Sequence, residues 1–228
     1  MIELVALDMA GTTVEEGGAV YRALRDAVVV DGGALSSDQV VPWMGADKRQ
    51  AIRALSLDAG LPEPTDDEVE RIYLGFVDRL LADYRRTPPR PIDGVPAVLA
   101  TLRARGVKVA LTTGFSSDVH APLLPTLGWS VPEAVDAVVC PDDVGAGRPA
   151  PYMIFRAMEM TGVTDVRRVL VAGDTPRDLE AGCNAGAGAV VGVATGDLGL
   201  EELGRYRHTH LLASLAGLDE LVASLAAS

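Results

Sequence analysis

Apolar residues follow two rhythms along this chain. Over residues 2–7 they run almost unbroken, with Glu3 the one polar residue, and the run stops at Asp8 before Gly11-Thr12-Thr13. A short apolar block closed by a turn marks a strand buried on both faces of a parallel sheet, and it puts Asp8 at the strand's carboxyl end. Residues 108–112, 137–140, 169–172 and 189–193 have the same form. Between these blocks, apolar positions recur every three or four residues over 95–105, 121–127, 152–161 and 176–185, which predicts helices. The alternation predicts an α/β fold, a doubly wound parallel sheet, in which ligands bind beyond the carboxyl ends of the strands.

Residues 15–90 break that alternation. They hold no convincing buried strand and several helical patterns. The clearest starts at Thr65, where Thr65 and Glu68 have capping-box spacing and Val69, Ile72, Tyr73, Phe76, Leu80 and Tyr84 follow on one face. Such a stripe needs an apolar partner, so it reads as the core of a small bundle. Glu15-Glu16-Gly17-Gly18 precedes the segment as a flexible link and Thr87-Pro88-Pro89-Arg90-Pro91 follows it as a stiffer one. The expected organisation is a core of residues 1–14 and 91–228 and a helical body of 15–90, with a hinge between them.

Charge narrows the partners. With 228 residues, 48% of them apolar, the chain can bury a full core, and 20 Lys and Arg against 32 Asp and Glu give a net charge of −12. That balance opposes general attraction to nucleic acid or an anionic membrane, so neither is expected as a partner, and an anionic substrate must meet a local positive site. Cys140 and Cys183 are too few for a disulfide framework and lack the close spacing of a zinc site. No basic region followed by a long apolar stretch opens the chain, and no segment has the length of a membrane span. A soluble, cytoplasmic protein is the expectation.

Asp8, Asp174 and Asp178 each fall at a strand end or in the turn after it. One aspartate there most often caps a helix or fills a turn. Three brought together by parallel strands are harder to explain that way. Asp8 and Asp174, with the carbonyl of Ala10, suit a hard cation, and Mg²⁺ is the natural one because it takes carboxylates, water and phosphate oxygens. Thr112-Thr113-Gly114 closes another strand and offers a hydroxyl and N–H groups to a phosphate oxygen. Arg148, before the helix at 152, can hold a phosphoryl group; alone it would read as a surface loop residue. His120, His208 and His210 have no partner spacing and read as surface or loop residues, and residues 218–225 as a packing helix.

Asp8-Met9-Ala10-Gly11-Thr12-Thr13, Thr112-Thr113-Gly114, Gly147-Arg148-Pro149 and Gly173-Asp174-Thr175-Pro176-Arg177-Asp178 together resemble the four ordered motifs of the haloacid dehalogenase superfamily. The resemblance spans nearly the whole core. It implies a Rossmann-like sheet with a helical C1-type cap inserted after the first motif, and a hydrolase in which Asp8 attacks phosphorus and is transiently phosphorylated. It further implies that Asp8, the Ala10 carbonyl and Asp174 bind Mg²⁺ with Asp178 in support, and that Thr113 and Arg148 hold the transferring group. Gly11, Thr12, Met44 and Gly114 would then lie against the substrate.

Phosphatases of the superfamily carry an acid and base two residues after the nucleophile. Here that place is Ala10, which cannot shuttle protons. Asp-x-Ala-Gly-Thr with an arginine third motif resembles the phosphonoacetaldehyde hydrolases and their near relatives, which break a carbon–phosphorus bond. Met44-Gly45-Ala46-Asp47-Lys48 resembles their Met-Gly-x-x-Lys segment, with Lys48 at the imine-forming position. By spacing alone, Lys48 followed by Arg49 and Arg53 reads as a solvated helix face. The chain departs from those hydrolases at Ala51, Gly18 and Phe115, where they have histidine, cysteine and tyrosine. The expected activity is hydrolysis of a small phosphonate through Asp8 and Lys48. The alternatives are a phosphatase of small phosphate esters using Asp8 without Lys48, and a non-catalytic phospho-ligand binder. A homodimer through the cap is the assembly the resemblance leaves open.

Overall fold

The computed structural model describes residues 1–227. In chain order it runs β1 (Leu4–Asp8), β2 (Val14–Glu15), α1 (Ala19–Val28), α2 (Ser37–Val40), α3 (Lys48–Asp58), α4 (Asp66–Arg86) and β3 (Arg90–Pro91). Then come α5 (Val95–Ala104), β4 (Lys108–Thr112), α6 (Ser117–Thr126), β5 (Ala137–Val139), α7 (Tyr152–Thr161), β6 (Val169–Gly173), α8 (Pro176–Ala185) and β7 (Ala189–Val193). The chain closes with α9 (Leu200–Leu203), β8 (His210–Leu212) and α10 (Leu218–Ala227).

Six parallel strands lie in the order β5-β4-β1-β6-β7-β8. All five residues of β1 are buried because both faces are covered. Leu4 and Ala6 point to the layer formed with Met153, Ile154 and Ala157 of α7 and Ala181 of α8. Val5 and Leu7 point the other way, toward Val95, Val98 and Leu102 of α5 and Leu218 of α10. Each Val or Leu taken fully out of water contributes roughly 1.5–3 kcal/mol, so burial on both faces anchors the central strand. The register sets Asp8 beside Thr112 on one neighbour and Leu7 beside Ala172 on the other. The chain leaves β1 for one half of the sheet and returns through β6 to the other, so β1 ends at the topological switch point.

Residues 19–86 are helical, apart from short turns. The stripe expected on α4 is buried, with Val77 added to it, and the Thr65–Glu68 capping box forms. Its partners are Val20, Ala23, Leu24 and Ala27 of α1 and Ile52 and Leu55 of α3. The buried residues of this bundle form one continuous apolar cluster with the α5 side of the sheet.

Three local expectations change. The two links around the bundle are joined to each other, since Glu15 pairs with Arg90 and Val14 with Pro91 in an antiparallel ribbon. A two-residue strand is too short to leave a periodic signal. Helix α6 starts at Ser117, four residues before the expected point, because Pro122 and Pro125 interrupt its apolar spacing. His120 therefore lies on a helix, half-buried, with no hydrogen-bond partner for Nδ1 among the described residues, and His210 lies in β8. Cys140 is buried, Cys183 is partly exposed, and both are free thiols. Among the described residues, no helix is long and apolar enough to cross a membrane.

Candidate active site

Four chain segments converge at the carboxyl ends of β1, β4 and β6. The carboxylates of Asp8, Asp174 and Asp178 each offer an oxygen, and these atoms lie within 4.8 Å of one another. All three residues are buried. Arg148, only 3% exposed, reaches between them from the loop before α7. Its Nη1 donates to Asp8 Oδ1 at 2.5 Å and lies 2.8 Å from Asp178 Oδ1, while Nη2 donates to Thr112 Oγ1 at 2.6 Å. The other oxygen of Asp178 accepts from Thr175 N at 3.1 Å and Thr175 Oγ1 at 2.6 Å, closing a capping box at the start of α8. Asp178 is thus held by its own helix and by Arg148 together.

Asp174 is differently placed. Thr12 Oγ1 donates to its Oδ1 at 2.7 Å, which turns a hydroxyl expected at the substrate toward a carboxylate instead. Its Oδ2 faces two glycines whose missing side chains make the space. A Cβ on Gly196 would stand 1.9 Å from that oxygen and one on Gly11 2.4 Å, and Gly11 also has φ +87°. The tight cradle, the free carboxylate oxygen and the nearby carboxylate of Asp8 fit a hard divalent cation.

Burial pushes the Asp8 carboxyl up to about 7; Arg148 pulls it down and Asp178 pushes it further up. Asp174 is raised well above the ordinary carboxylate range by burial, then by Asp8 and Asp178. Burial works against the charge of Arg148, but Asp178 and Asp8 outweigh it and raise its pKa. The site is therefore short of positive charge, as a place that receives a cation should be.

The segment before α3 sits on these strand ends. Asp47 caps α3 by accepting from Gln50 N at 2.9 Å, and Lys48 is the first helical residue. Contrary to the solvated reading of its spacing, Lys48 is 3% exposed. Its Nζ donates to the Ala46 carbonyl at 2.8 Å and lies 5.7 Å from the centre of the Phe115 ring. Burial lowers its pKa to about 8, against the opposing pull of Asp47 and Asp8. Contact with the core is close. A Cβ on Gly114 would stand 2.6 Å from the Ala46 carbonyl oxygen, and one on Gly45, at φ +70°, would stand 2.7 Å from Thr175 Oγ1. Arg177 of α8 donates to the Pro42 carbonyl at 3.3 Å and lies under the Trp43 ring at 5.1 Å.

Thr113 is buried in the turn after β4, where its Oγ1 accepts from Phe115 N at 3.1 Å. The hydroxyl that meets Arg148 belongs to Thr112 and not to Thr113, the residue expected to share the transferring group with it. Thr175, which holds Asp178, carries a signal in the sequence as well, since Thr175-x-x-Asp178 has the spacing of a capping box. Met44 and Ala10 line a cavity of about 280 Å³ that opens beside Asp174 and is bounded by Tyr21 of α1. Burial, then Asp174 and Asp8, push the Tyr21 phenol well above its usual range, so it stays protonated.

The model of the haloacid dehalogenase-like hydrolases matches residues 2–186. Phosphonoacetaldehyde hydrolase of Bacillus cereus is 34% identical over 216 residues, covering 88% of this chain and 80% of that one. The same enzyme of Bacillus thuringiensis strain Al Hakam matches with the same identity and coverage. Among solved structures, a hydrolase from Pseudomonas syringae superposes with a TM-score of 0.86 at 21% identity, over 98% of this chain and 99% of that one. A phosphonoacetaldehyde hydrolase-like protein from Oleispira antarctica superposes with a TM-score of 0.83 at 22% identity, over 98% and 92%. The two superpositions speak for the fold, and the family match and the curated relatives speak for the chemistry. Joined to the strand-end carboxylates and Arg148, they mean that this chain is a hydrolase and belongs to the haloacid dehalogenase-like family.

Proposed function

We propose that this hydrolase cleaves the carbon–phosphorus bond of phosphonoacetaldehyde or a close analogue, with Asp8 as nucleophile and Lys48 as imine-forming amine. The observation that carries this reading is the buried Lys48, with its pKa near 8, seated over the strand ends that hold Asp8. A lysine so placed is a nucleophile near neutral pH. Residues 15–90 act as a cap on a core of 1–14 and 91–228, and the cap delivers Met44 and Lys48 to the site.

The neutral amine of Lys48 adds to the aldehyde carbon, and the carbonyl oxygen leaves as water. The protonated imine that results is an electron sink. Asp8 attacks phosphorus in line, the carbon–phosphorus bond breaks, and its electron pair moves into the imine to give an enamine. Protonation of the enamine carbon and hydrolysis release acetaldehyde and free Lys48. Water then cleaves the aspartyl-phosphate. Arg148 favours the ionised form of Asp8 against the effect of burial and, with Thr113 and Gly114, holds the phosphoryl oxygens. A Mg²⁺ held by Asp8, Asp174 and the Ala10 carbonyl would supply the positive charge that the carboxylates and the phosphoryl group together require. Asp178 keeps Arg148 in place. Ala10 is no handicap here, because the carbon leaving group is stabilised through the imine and needs no acid at that position.

One observation favours a phosphatase working without Lys48: the amine is already tied to the Ala46 carbonyl. Phosphate release from phosphonoacetaldehyde in Mg²⁺ separates the two. Asp8→Asn should abolish it, Lys48→Ala should lower it by about 10²-fold or more, and borohydride added with substrate should inactivate the wild type irreversibly. A wild type that releases phosphate only from esters, with Lys48→Ala unimpaired, would select the phosphatase.

A further inference from the structure

The cavity beside Ala10 and Asp174 is lined with acid, and most of its polar side chains are already engaged. Glu15 Oε1 accepts from Gly17 N at 2.9 Å and Glu16 Oε2 from Val20 N at 2.9 Å, both tying down the approach to α1. Thr195 spends its hydroxyl on the Gly11 carbonyl at 2.6 Å. Asp197 stands exposed where this cavity meets a second one, of about 180 Å³, and Tyr21 and Met44 line both. Thr195 and Tyr21 are the two side chains lining the inner cavity that can donate a hydrogen bond. Since Thr195 is engaged, the Tyr21 hydroxyl is the free donor, with no partner for it among the described residues.

We propose that Tyr21 is a specificity-determining residue that donates a hydrogen bond to an uncharged oxygen on the substrate's carbon skeleton, while Glu15, Glu16 and Asp197 exclude substrates with a second anionic group there. The inference rests on the reading of the site as a phosphonate hydrolase and narrows it. Tyr21 is half-buried and its hydroxyl has no protein partner among the described residues, so an oxo or hydroxyl oxygen of the substrate can accept its hydrogen bond, and a methylene in that place cannot. A carboxylate could accept the same bond but would enter beside three like charges. The substrate class is therefore a small phosphonate whose second functional group is a neutral carbonyl: an aldehyde or ketone, not an acid.

The test is calorimetric titration in Mg²⁺ buffer with propylphosphonate, 2-oxopropylphosphonate and phosphonoacetate, on wild type, Tyr21→Phe and Lys48→Met. The wild type should bind the oxo ligand about tenfold more tightly than propylphosphonate, the worth of one neutral hydrogen bond, and phosphonoacetate more weakly than either. Tyr21→Phe should erase the oxo preference without lowering Tm, because the lost hydroxyl holds nothing in the folded chain. Lys48→Met should keep that preference. An oxo preference that survives Tyr21→Phe, or disappears only in Lys48→Met, overturns the role of Tyr21 and leaves the phosphonate reading intact. Tight binding of phosphonoacetate overturns the exclusion. Failure of all three phosphonates to bind removes the phosphonate reading and this inference with it.

Discussion

Two buried cations meet in this site, and they are opposites. Arg148, from the core, has Asp8, Asp178 and Thr112 around its guanidinium. Lys48, from the helical insertion, has a single backbone carbonyl. Burial opposes both charges; the carboxylates overcome it for Arg148 and fail to for Lys48, so one is pinned in its charged form and the other is poised to lose its proton. A fixed charge suits holding a phosphoryl group. A cation without a close counter-ion suits becoming an amine.

The largest effect expected from this contrast is on the paired charge. Arg148→Met leaves Asp8 and Asp178 buried without their partner and should cost about 3–5 kcal/mol of unfolding free energy. The cost depends on pH. Asp8 holds its proton to about 7 in the folded chain against 3.8 unfolded, so its contribution to stability falls as pH rises between those values. Without Arg148 it should fall further, and the gap between variant and wild type should be wider at pH 8 than at pH 5. Urea unfolding in EDTA reads this directly. A loss under 1 kcal/mol at pH 8 would mean that Arg148 is not what keeps these carboxylates in the fold.

The unpaired charge should respond with the opposite sign. Lys48→Met removes a buried ammonium and should stabilise the protein by about 3 kcal/mol below pH 8. Lys48 has a folded pKa near 8 and an ordinary unfolded value of 10.5. Below 8 both states are charged and the burial cost is complete. Between 8 and 10.5 the unfolded chain keeps a proton that the folded chain has lost, so wild-type stability rises toward the variant and the difference closes. Wild type and Lys48→Met unfolding with equal free energy across pH 6 to 11 would show that Lys48 stays charged and well solvated, which would also weaken the proposal that it is the imine-forming amine.

Sequence reading succeeds in the core and falters in the insertion for the same physical reason. A buried parallel strand announces itself as an apolar block, and the residue that ends it is placed by the register, so Asp8, Asp174 and the Thr112-Thr113 turn were legible. Arg148 was legible as a candidate, but its three partners come from β1, β4 and α8, and only the folded sheet assembles them. Lys48 looked like the start of a solvated face because Arg49 and Arg53 follow it. Those arginines are charged but not free: Arg49 meets Glu70 and Arg53 meets Asp66, both on α4. Charge on that side of α3 is answered by the next helix, which leaves Lys48 to turn toward the sheet. Tyr21 gave no signal at all, since its meaning depends on which neighbours have already spent their hydrogen bonds.

Arg49 extends the comparison to a third cation, one residue from Lys48 and as well paired as Arg148, but partly exposed. Its Nε donates to Glu70 Oε2 at 2.8 Å, Nη2 to Glu70 Oε1 at 3.0 Å and Nη1 to Ser116 Oγ at 3.2 Å, while the guanidinium lies 3.7 Å from the Tyr73 ring centre. It thus ties α3 to α4 and to the loop just past Phe115. Lysine keeps the charge but loses the planar fork and the stacked face, so Arg49→Lys should destabilise by about 0.5–1 kcal/mol, a few degrees in Tm at most. Tm by calorimetry at low and high salt separates the parts. The loss should persist in high salt, because the ring contact and the hydrogen-bond geometry remain missing when charge is screened. A loss that vanishes at high salt would reduce Arg49 to an ordinary surface ion pair, and would leave Arg148 and Lys48 as the two cations whose burial, paired or unpaired, sets the character of the site.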